Sequence, residues 1–332
     1  MKDKENDMKT IAIIATGGTI AGSGEKGKTA VYHAGEIDIR SIIQTIPEIN
    51  EIACLQTFQL MNIDSNEITK ERWIALKNEI ENILKDENID GAVVTHGTDT
   101  LDETAYFLTL TLNVKKPVVI TGAMRPATAT SADGPFNLYQ AICLAIHEES
   151  YDQGVLALFS NTIYSGRDIQ KVNNFKIDAF DQKSLGCLGY MQDNQVYYYT
   201  KTNKKHTSHS VFNGTIKNLP DVAIVYFYAG ASSDILYYLA KENKGIVIAG
   251  SGSGNYSQEW LEAIEELSKQ GIVFVRSSRI SQGIVYDNNV FDPHELCIPA
   301  NTLSPQKARV LLMLSLLKTT DKNIIKQYFQ TY

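Results

Sequence analysis

Two threonines that follow short apolar runs are the residues of this chain best suited to chemistry. Thr19 lies in ATGGTIAG after the apolar residues 11–15, and Thr98 lies in THGTDT after residues 92–94. Such runs predict buried parallel strands, and ligands bind where the strands of open α/β sheets end. Neighbouring glycines let backbone N–H groups approach a substrate, while each hydroxyl can donate, accept or attack. The pairing predicts hydrolysis through a covalent intermediate.

The elements that must position these threonines alternate between apolar strands and amphipathic helices, a pattern that predicts an α/β fold with mostly parallel sheets. The predicted strands are residues 11–15, 91–95, 117–121, 154–159, 222–228, 245–249 and 272–277, and the predicted helices are 69–85, 101–113, 135–148, 233–241, 257–270 and 305–317, the last with Ser304 as N-cap. Residues 199–220 are polar and typical of a linker. We therefore expect two doubly wound domains, a larger one over residues 1–209 and a smaller one over residues 210–332.

Composition favours a globular protein with a small-molecule partner. The chain has 332 residues, of which 43% are hydrophobic and 21% charged, and its formal net charge is −7. No block of Lys and Arg is longer than two residues, so there is no basic footprint for nucleic acid or an anionic membrane. The N-terminus MKDKENDMKT lacks the apolar stretch of a secretory leader. The four scattered cysteines contain no C-x-x-C pair, which favours reduced thiols and a cytoplasmic location, or a periplasmic or secreted one if a leader has been removed.

The longest motifs identify a family resemblance. ATGGTIAG and GAVVTHGTDTLDETAYFLT resemble the two signatures of the bacterial-type L-asparaginases, and the likeness continues through VVITGAMRP, SADGPFNLYQA, SGRDIQKVN, VRSSR and TLSPQKARVLL. It runs from about residue 11 to residue 332. The resemblance implies a flavodoxin-like N-terminal domain, a smaller Rossmann-like C-terminal domain and hydrolysis of L-asparagine to L-aspartate and ammonia. It implies weak glutaminase activity at most, and neither cofactor nor metal.

The same resemblance implies five catalytic residues. Thr19 matches the nucleophile, and Tyr32 matches a tyrosine on the following loop, residues 22–35, whose Gly, Lys and Glu content suits a mobile lid. Thr98, Asp99 and Lys171 match a second set, in which the lysine would polarise the hydroxyl of Thr98 or of a water. Backbone N–H groups near Thr98 and the first glycine-rich turn would stabilise the oxyanion. From the residues alone, Thr19 could instead shape a turn and Lys171 could be a surface lysine.

Substrate binding is also implied by the resemblance. Ser65 matches the residue that binds the α-carboxylate, and Asp99, with Thr98 beside it, would bind the α-ammonium. Asn66 stands where the family usually has Gln or Glu, and residues 287–290 contain no counterpart of a glutamate that some members receive from the neighbouring subunit. Asn255 matches a residue lent across the interface of intimate dimers within a homotetramer. A disulfide of secreted members falls here on Asp86 and Val114.

Some readings compete with this one. GSGEKG at residues 22–27 fits G-x-G-x-x-G by letter, but polar sequence follows where a packed helix is required, so we expect no dinucleotide site. The histidines lack metal-ligand spacing, and His96 is expected to be a structural hydrogen-bonding residue. Two other functions stay open. One is the amidase subunit of a tRNA-dependent amidotransferase, which has an extra N-terminal domain where this chain has about ten residues before its first strand. The other is an amino-acid-binding protein that closes without chemistry.

Overall fold

The computed structural model describes residues 8–29, 32–182, 185–290 and 292–332, and the side chain of Tyr32 lies outside this set. The chain divides into two compact units, Met1–Thr215 and Ile216–Tyr332. This division falls inside the polar segment at residues 199–220. Among the described residues, no helix combines the length and apolar character that a membrane crossing requires.

The first unit is built on an eight-stranded sheet. In chain order its elements are β1 (Thr10–Gly17), β2 (Ser23–Gly24), β3 (Tyr32–His33), α1 (Ile39–Ile43), β4 (Cys54–Ile63), α2 (Lys70–Leu84), β5 (Gly91–Thr95), α3 (Leu101–Thr111), β6 (Val118–Thr121), α4 (Gly134–Ile146), β7 (Val155–Phe159), β8 (Thr162–Ser165), β9 (Gln170–Lys171), β10 (Phe180–Asp181), β11 (Gly189–Gln192) and β12 (Gln195–Tyr198). The strand order is β12-β11-β8-β7-β6-β5-β1-β4. Strands β4, β1, β5, β6 and β7 run parallel, whereas β8, β11 and β12 add antiparallel pairs at one edge. Two further antiparallel pairs, β2–β3 and β9–β10, stand apart from this sheet.

Helices on both faces explain the continuous apolar runs of the central strands. Ile11 and Ile13 of β1 share a buried cluster with α4, and side chains alternate along a strand, so Ala12 and Ile14 point to the opposite face. Helix α2 packs on β5, and α3 packs on β7. Strands covered on both faces are buried at every position and mostly apolar, as β5 to β7 are here. The predicted strands of this unit are thereby confirmed.

The second unit has a smaller sheet of four parallel strands. Its elements are β13 (Val222–Tyr226), α5 (Asp234–Ala240), β14 (Gly245–Gly250), α6 (Gln258–Lys269), β15 (Val273–Ser278), β16 (Cys297–Pro299), α7 (Pro305–Leu316) and α8 (Lys322–Thr331), with the strand order β13-β14-β15-β16. The Ser304 hydroxyl caps α7 by accepting the Lys307 N–H, and Pro305 occupies the first turn, where no N–H is required. The predicted α/β class, with two parallel-rich sheets, is confirmed.

Candidate active site

Three adjacent strands deliver the candidate residues to one edge of the larger sheet. Strand β1 lies between β4 and β5 and runs parallel to both, so the three carboxyl ends meet. Thr19 follows β1, Ser65 follows β4 and Thr98 follows β5, each within three residues of its strand. The strand order reverses at β1, because the chain goes from β1 to β4 on one side and continues to β5 on the other, and α/β proteins bind ligands at such a position.

Glycines bring these three turns into backbone contact. A Cβ atom at Gly18 would lie 2.4 Å from the backbone nitrogen of Gly97, and one at Gly97 would lie 2.8 Å from the Ser65 hydroxyl oxygen. Gly18 has a φ of 80°, which favours glycine, and its N–H donates to the Ile63 carbonyl at 2.9 Å. A side chain at either glycine would therefore separate the turns. We call this contact of the three turns the glycine junction.

Lys171 reaches the junction from the β9–β10 pair, where it lies opposite Phe180. Its ammonium donates to the Thr98 hydroxyl oxygen at 2.8 Å and to an Asp99 carboxylate oxygen at 2.6 Å. The lysine side chain is 15% exposed and that of Asp99 is 54% exposed. Because the Thr98 oxygen accepts from the ammonium, its own proton is directed to a different acceptor. The arrangement can polarise a hydroxyl or a water while holding a carboxylate at the mouth of the site.

A buried chain of hydrogen bonds supports the turn that carries Thr98. The Trp73 indole donates to the Thr104 hydroxyl at 2.8 Å, and that hydroxyl is 3.1 Å from Nε2 of His96. Nδ1 of His96 is 2.7 Å from the Gly97 carbonyl, which can only accept, so Nδ1 carries the proton and Nε2 accepts from Thr104. Burial lowers the pKa of His96 to about 4. The predicted structural role of His96 is confirmed, whereas sequence reasoning missed Thr104.

Two hydrogen bonds, one from within the turn and one from Thr100, hold the turn after β4. The Asp64 carboxylate accepts the Asn66 N–H at 2.8 Å, and the Thr100 hydroxyl donates to the Ser65 carbonyl at 2.8 Å. The Asn66 amide is 3.5 Å from the Asp99 carboxylate oxygen that Lys171 leaves unoccupied. Ser65 is buried and Asn66 is exposed. Sequence reasoning missed the capping residue Asp64, although Asp before a short turn is a recognisable signal.

Tyr32 and Asn255 belong to other segments of the chain. The backbone of Tyr32 lies in β3 opposite Gly24, and its side chain is outside the described residues. Asn255 belongs to the second unit, where it is exposed in a turn after β14 that is closed by reciprocal backbone hydrogen bonds with Ser251 of 2.9 and 2.7 Å. Residues 287–290 are exposed, and Asp287 pairs with Lys326 at 2.8 Å.

Fold and site together define a two-unit α/β protein with two buried threonines, a lysine and a carboxylate at the carboxyl edge of its larger sheet. Residues 10–204 match the family described as "Asparaginase, N-terminal", and residues 221–329 match the "Glutaminase/Asparaginase C-terminal domain". The chain belongs to the asparaginase family.

Similar proteins cover the full chain. It is 41% identical to the "Probable L-asparaginase periplasmic" of Haemophilus influenzae, across 98% of this chain and 94% of that protein. It is 39% identical to the "Glutaminase-asparaginase" of Pseudomonas fluorescens, across 99% and 93% respectively. Its structure is similar to that of a probable cytoplasmic L-asparaginase from Campylobacter jejuni, with a TM-score of 0.94 and 42% identity across 98% of this chain and 100% of that one.

Proposed function

We propose that this protein is an L-asparaginase, an amidohydrolase that converts L-asparagine and water into L-aspartate and ammonia through an ester on Thr19. The observation that carries the proposal is the contact of the Lys171 ammonium with both Thr98 and Asp99, beside the glycine junction. Family membership and relatives named as L-asparaginases support the substrate. The relative named as a glutaminase-asparaginase supports a weak reaction with glutamine.

The substrate zwitterion is bound by opposite charges and donors. Ser65 offers a buried hydroxyl to the α-carboxylate, and Asp99 offers a half-exposed carboxylate to the α-ammonium. The Asn66 amide lies 3.5 Å from the second Asp99 oxygen, within reach of the same α-ammonium site. The side-chain amide is then directed towards Thr19 and Thr98.

Acylation forms a bond from the Thr19 oxygen to the side-chain carbonyl carbon of asparagine. Tyr32 takes the hydroxyl proton and passes it to the leaving nitrogen, the carbon–nitrogen bond breaks and ammonia leaves. Backbone N–H groups of the glycine junction stabilise the oxyanion. Deacylation reverses the sequence with water, which Thr98 orients and Lys171 polarises, and the proton returned to Thr19 releases L-aspartate.

Trapping the ester tests this mechanism directly. After an acid quench during turnover, mass spectrometry of peptides containing Thr19 and Thr98 locates the aspartyl group. We expect it on Thr19, its absence in Thr19→Ala, and a rate loss of at least about a thousandfold in that variant. Thr10→Ala, at the opposite end of β1, is the matched control and keeps full activity. An aspartyl ester on Thr98 would reassign the nucleophile.

Ester trapping together with steady-state product measurement decides between the proposed reaction and its alternatives. A binding protein would retain asparagine without forming any ester or releasing ammonia. An amidotransferase subunit would release little ammonia until a tRNA-bound glutamyl acceptor and its partner were added. Steady-state ammonia release from asparagine alone, at a rate matched by aspartate formation, contradicts both.

We further propose a homotetramer of intimate dimers, in which Asn255 completes the neighbour's site, and a cytoplasmic location. The Campylobacter jejuni structure described as cytoplasmic supports the location, whereas the Haemophilus influenzae relative is named as periplasmic. The net charge of −7 favours a small-molecule partner over nucleic acid or an anionic membrane. Analytical ultracentrifugation tests the homotetramer, and fractionation of the native cells tests the location.

A further inference from the structure

The segment between β6 and α4, residues 122–133, is braced by its own hydrogen bonds. The Asp133 carboxylate accepts the backbone N–H groups of Met124 and Arg125, both at 2.9 Å. The Arg125 guanidinium donates to the Ser131 carbonyl at 3.0 Å, across the mouth of the segment. These bonds fix the backbone between the two elements, so we call residues 122–133 the support.

Among the described residues of the lid, residues 22–35, three hydrogen bonds reach the support. The Ala127 N–H donates to the Gly22 carbonyl at 3.1 Å. The Thr128 hydroxyl accepts the Gly24 N–H at 3.1 Å, and the Thr128 carbonyl accepts the Gly27 N–H at 3.0 Å. Two of the three bonds therefore meet on Thr128, and one of them uses its side chain.

These bonds attach a segment whose tip is exposed. Residues 25–29 are exposed, so the tip of the lid buries little apolar surface. Segments with few buried contacts open locally at low free-energy cost, and a single hydrogen bond then changes the open population measurably. The base of the lid is attached separately, since Gly35 donates to the Gly18 carbonyl at 3.2 Å.

The Thr128 hydroxyl is hydrogen-bonded to the residue that pairs with Tyr32. In the β2–β3 pair, Gly24 is the direct partner of Tyr32, and Gly24 is also the donor to Thr128. We infer that Thr128 is a positioning residue, whose hydroxyl latches the lid to the support and thereby sets the backbone of Tyr32 for the reaction. The inference rests on the proposed function for its catalytic consequence, because the role of Tyr32 belongs to that proposal.

Limited digestion with trypsin measures the latch independently of catalysis. The lid tip carries Lys26 and Lys28, and cleavage after either requires the tip to leave the support. We expect Thr128→Val, which removes the acceptor but keeps the shape, to increase cleavage at these two sites about fivefold, the effect of one neutral hydrogen bond. Thr128→Ser keeps the hydroxyl and restores the wild-type rate.

A neighbouring threonine supplies the matched control. Thr130 lies on the same support and is exposed, and among the described residues no hydrogen bond joins its side chain to the lid. Thr130→Val should leave both cleavage and asparagine hydrolysis unchanged. In Thr128→Val, kcat should fall by no more than about fivefold, the limit set by one neutral hydrogen bond to the partner of Tyr32, with Thr128→Ser again close to wild type.

The outcomes separate the latch from the reaction. Equal lid cleavage in Thr128→Val and wild type overturns the latch, as does an equal rise in Thr130→Val. If Thr128→Val is also cleaved at sites far from the lid, the protein is unfolding globally, and Thr128→Ala then decides by the same comparison of the two lid sites. Failure of the wild-type protein to hydrolyse asparagine overturns the proposed function and leaves the digestion result to decide the latch.

Discussion

Replacing Lys171 with methionine removes a charge and two hydrogen bonds while keeping the length of the side chain. The ammonium lies 2.8 Å from the Thr98 oxygen and 2.6 Å from an Asp99 oxygen, so the variant leaves both without their cation. If Lys171 assists proton transfer at Thr98, kcat/KM for asparagine falls by about two to four orders of magnitude. Each factor of ten corresponds to about 1.4 kcal/mol of lost transition-state stabilisation.

The same substitution should hardly affect folding. The Asp99 side chain is 54% exposed, and solvent screening reduces such ion pairs to about 0.2–1 kcal/mol of stability. For a unit of this size, that corresponds to a decrease in Tm of no more than about 4 °C. Activity and stability are therefore expected to separate, which distinguishes a role in the reaction from a role in holding the fold.

The assay is steady-state ammonia release, with Tm measured on the same samples. Lys201→Met is the matched control, because Lys201 pairs with Glu149 at 3.8 Å and is 65% exposed, far into solvent. Lys171→Arg keeps the charge but does not release a proton at accessible pH, so it separates charge from proton transfer. Turnover of Lys171→Met within tenfold of wild type would refute the reasoning and make Lys171 an ordinary surface lysine. Full activity of Lys171→Arg would refute proton transfer and leave an effect of charge.

Three further predictions concern stability, assembly and selectivity. Burial lowers the pKa of His96 from 6.5 to about 4, so in this range only the unfolded chain takes up the proton, and stability falls by up to about 3 kcal/mol as pH drops from about 6.5 to about 4. His96→Gln should flatten this slope in urea unfolding, and an unchanged slope contradicts the assignment. Mixing inactive Thr19→Ala and Asn255→Ala subunits should restore some activity, and failure in proven hybrid dimers means that each site is self-contained. Because Asn66 is one methylene shorter than the usual residue, kcat/KM for asparagine should exceed that for glutamine by at least about a hundredfold, and comparable values would contradict this.

The elements that could be predicted are those whose sequence carries a strong local signal. Strand β5 coincides with its predicted range because every residue of it is buried between helices, and a continuous apolar run follows from that burial. Helix α2 shows the same agreement for another reason. Its buried residues Trp73, Leu76 and Ile80 repeat at the helical period, and Thr69 caps its start.

Elements at the edge of the larger sheet or outside the two main sheets gave no such signal. Strand β4 is an edge strand, and its residues alternate between exposed and half-buried positions with polar Gln and Thr among them. Strands β11 and β12 expose tyrosines, and β9 and β10 have only two residues each. Helix α8 buries only Ile325 and Phe329, which is too few apolar positions for a period to stand out. In each case, strand pairing or tertiary packing defines the element and local composition does not.

The residues of the site also divide into those with a local sequence signal and those defined only by tertiary contacts. The turns after β1 and β5 could be found from their glycines, because a close backbone approach demands that residue type. The contact between Lys171 and Thr98 joins positions 73 residues apart, and no local pattern encodes it. The hydrogen-bond chain through Thr104 was equally invisible, since a threonine inside a helix usually bonds to its own helix. Only the family resemblance could identify Lys171 as a catalytic candidate.

The glycine junction has a consequence for how this protein could be altered. Because the turns pack closely on Gly18 and Gly97 there, the spacing of the backbones that carry Thr19, Ser65 and Thr98 follows from the ends of β1, β4 and β5. Lys171, from the β9–β10 pair, and Asn66, next to Ser65, instead reach Asp99 through flexible side chains. Directed evolution towards another amide should therefore vary the residues around the junction. The junction itself keeps a fixed backbone spacing, to which the length of each new substrate must conform.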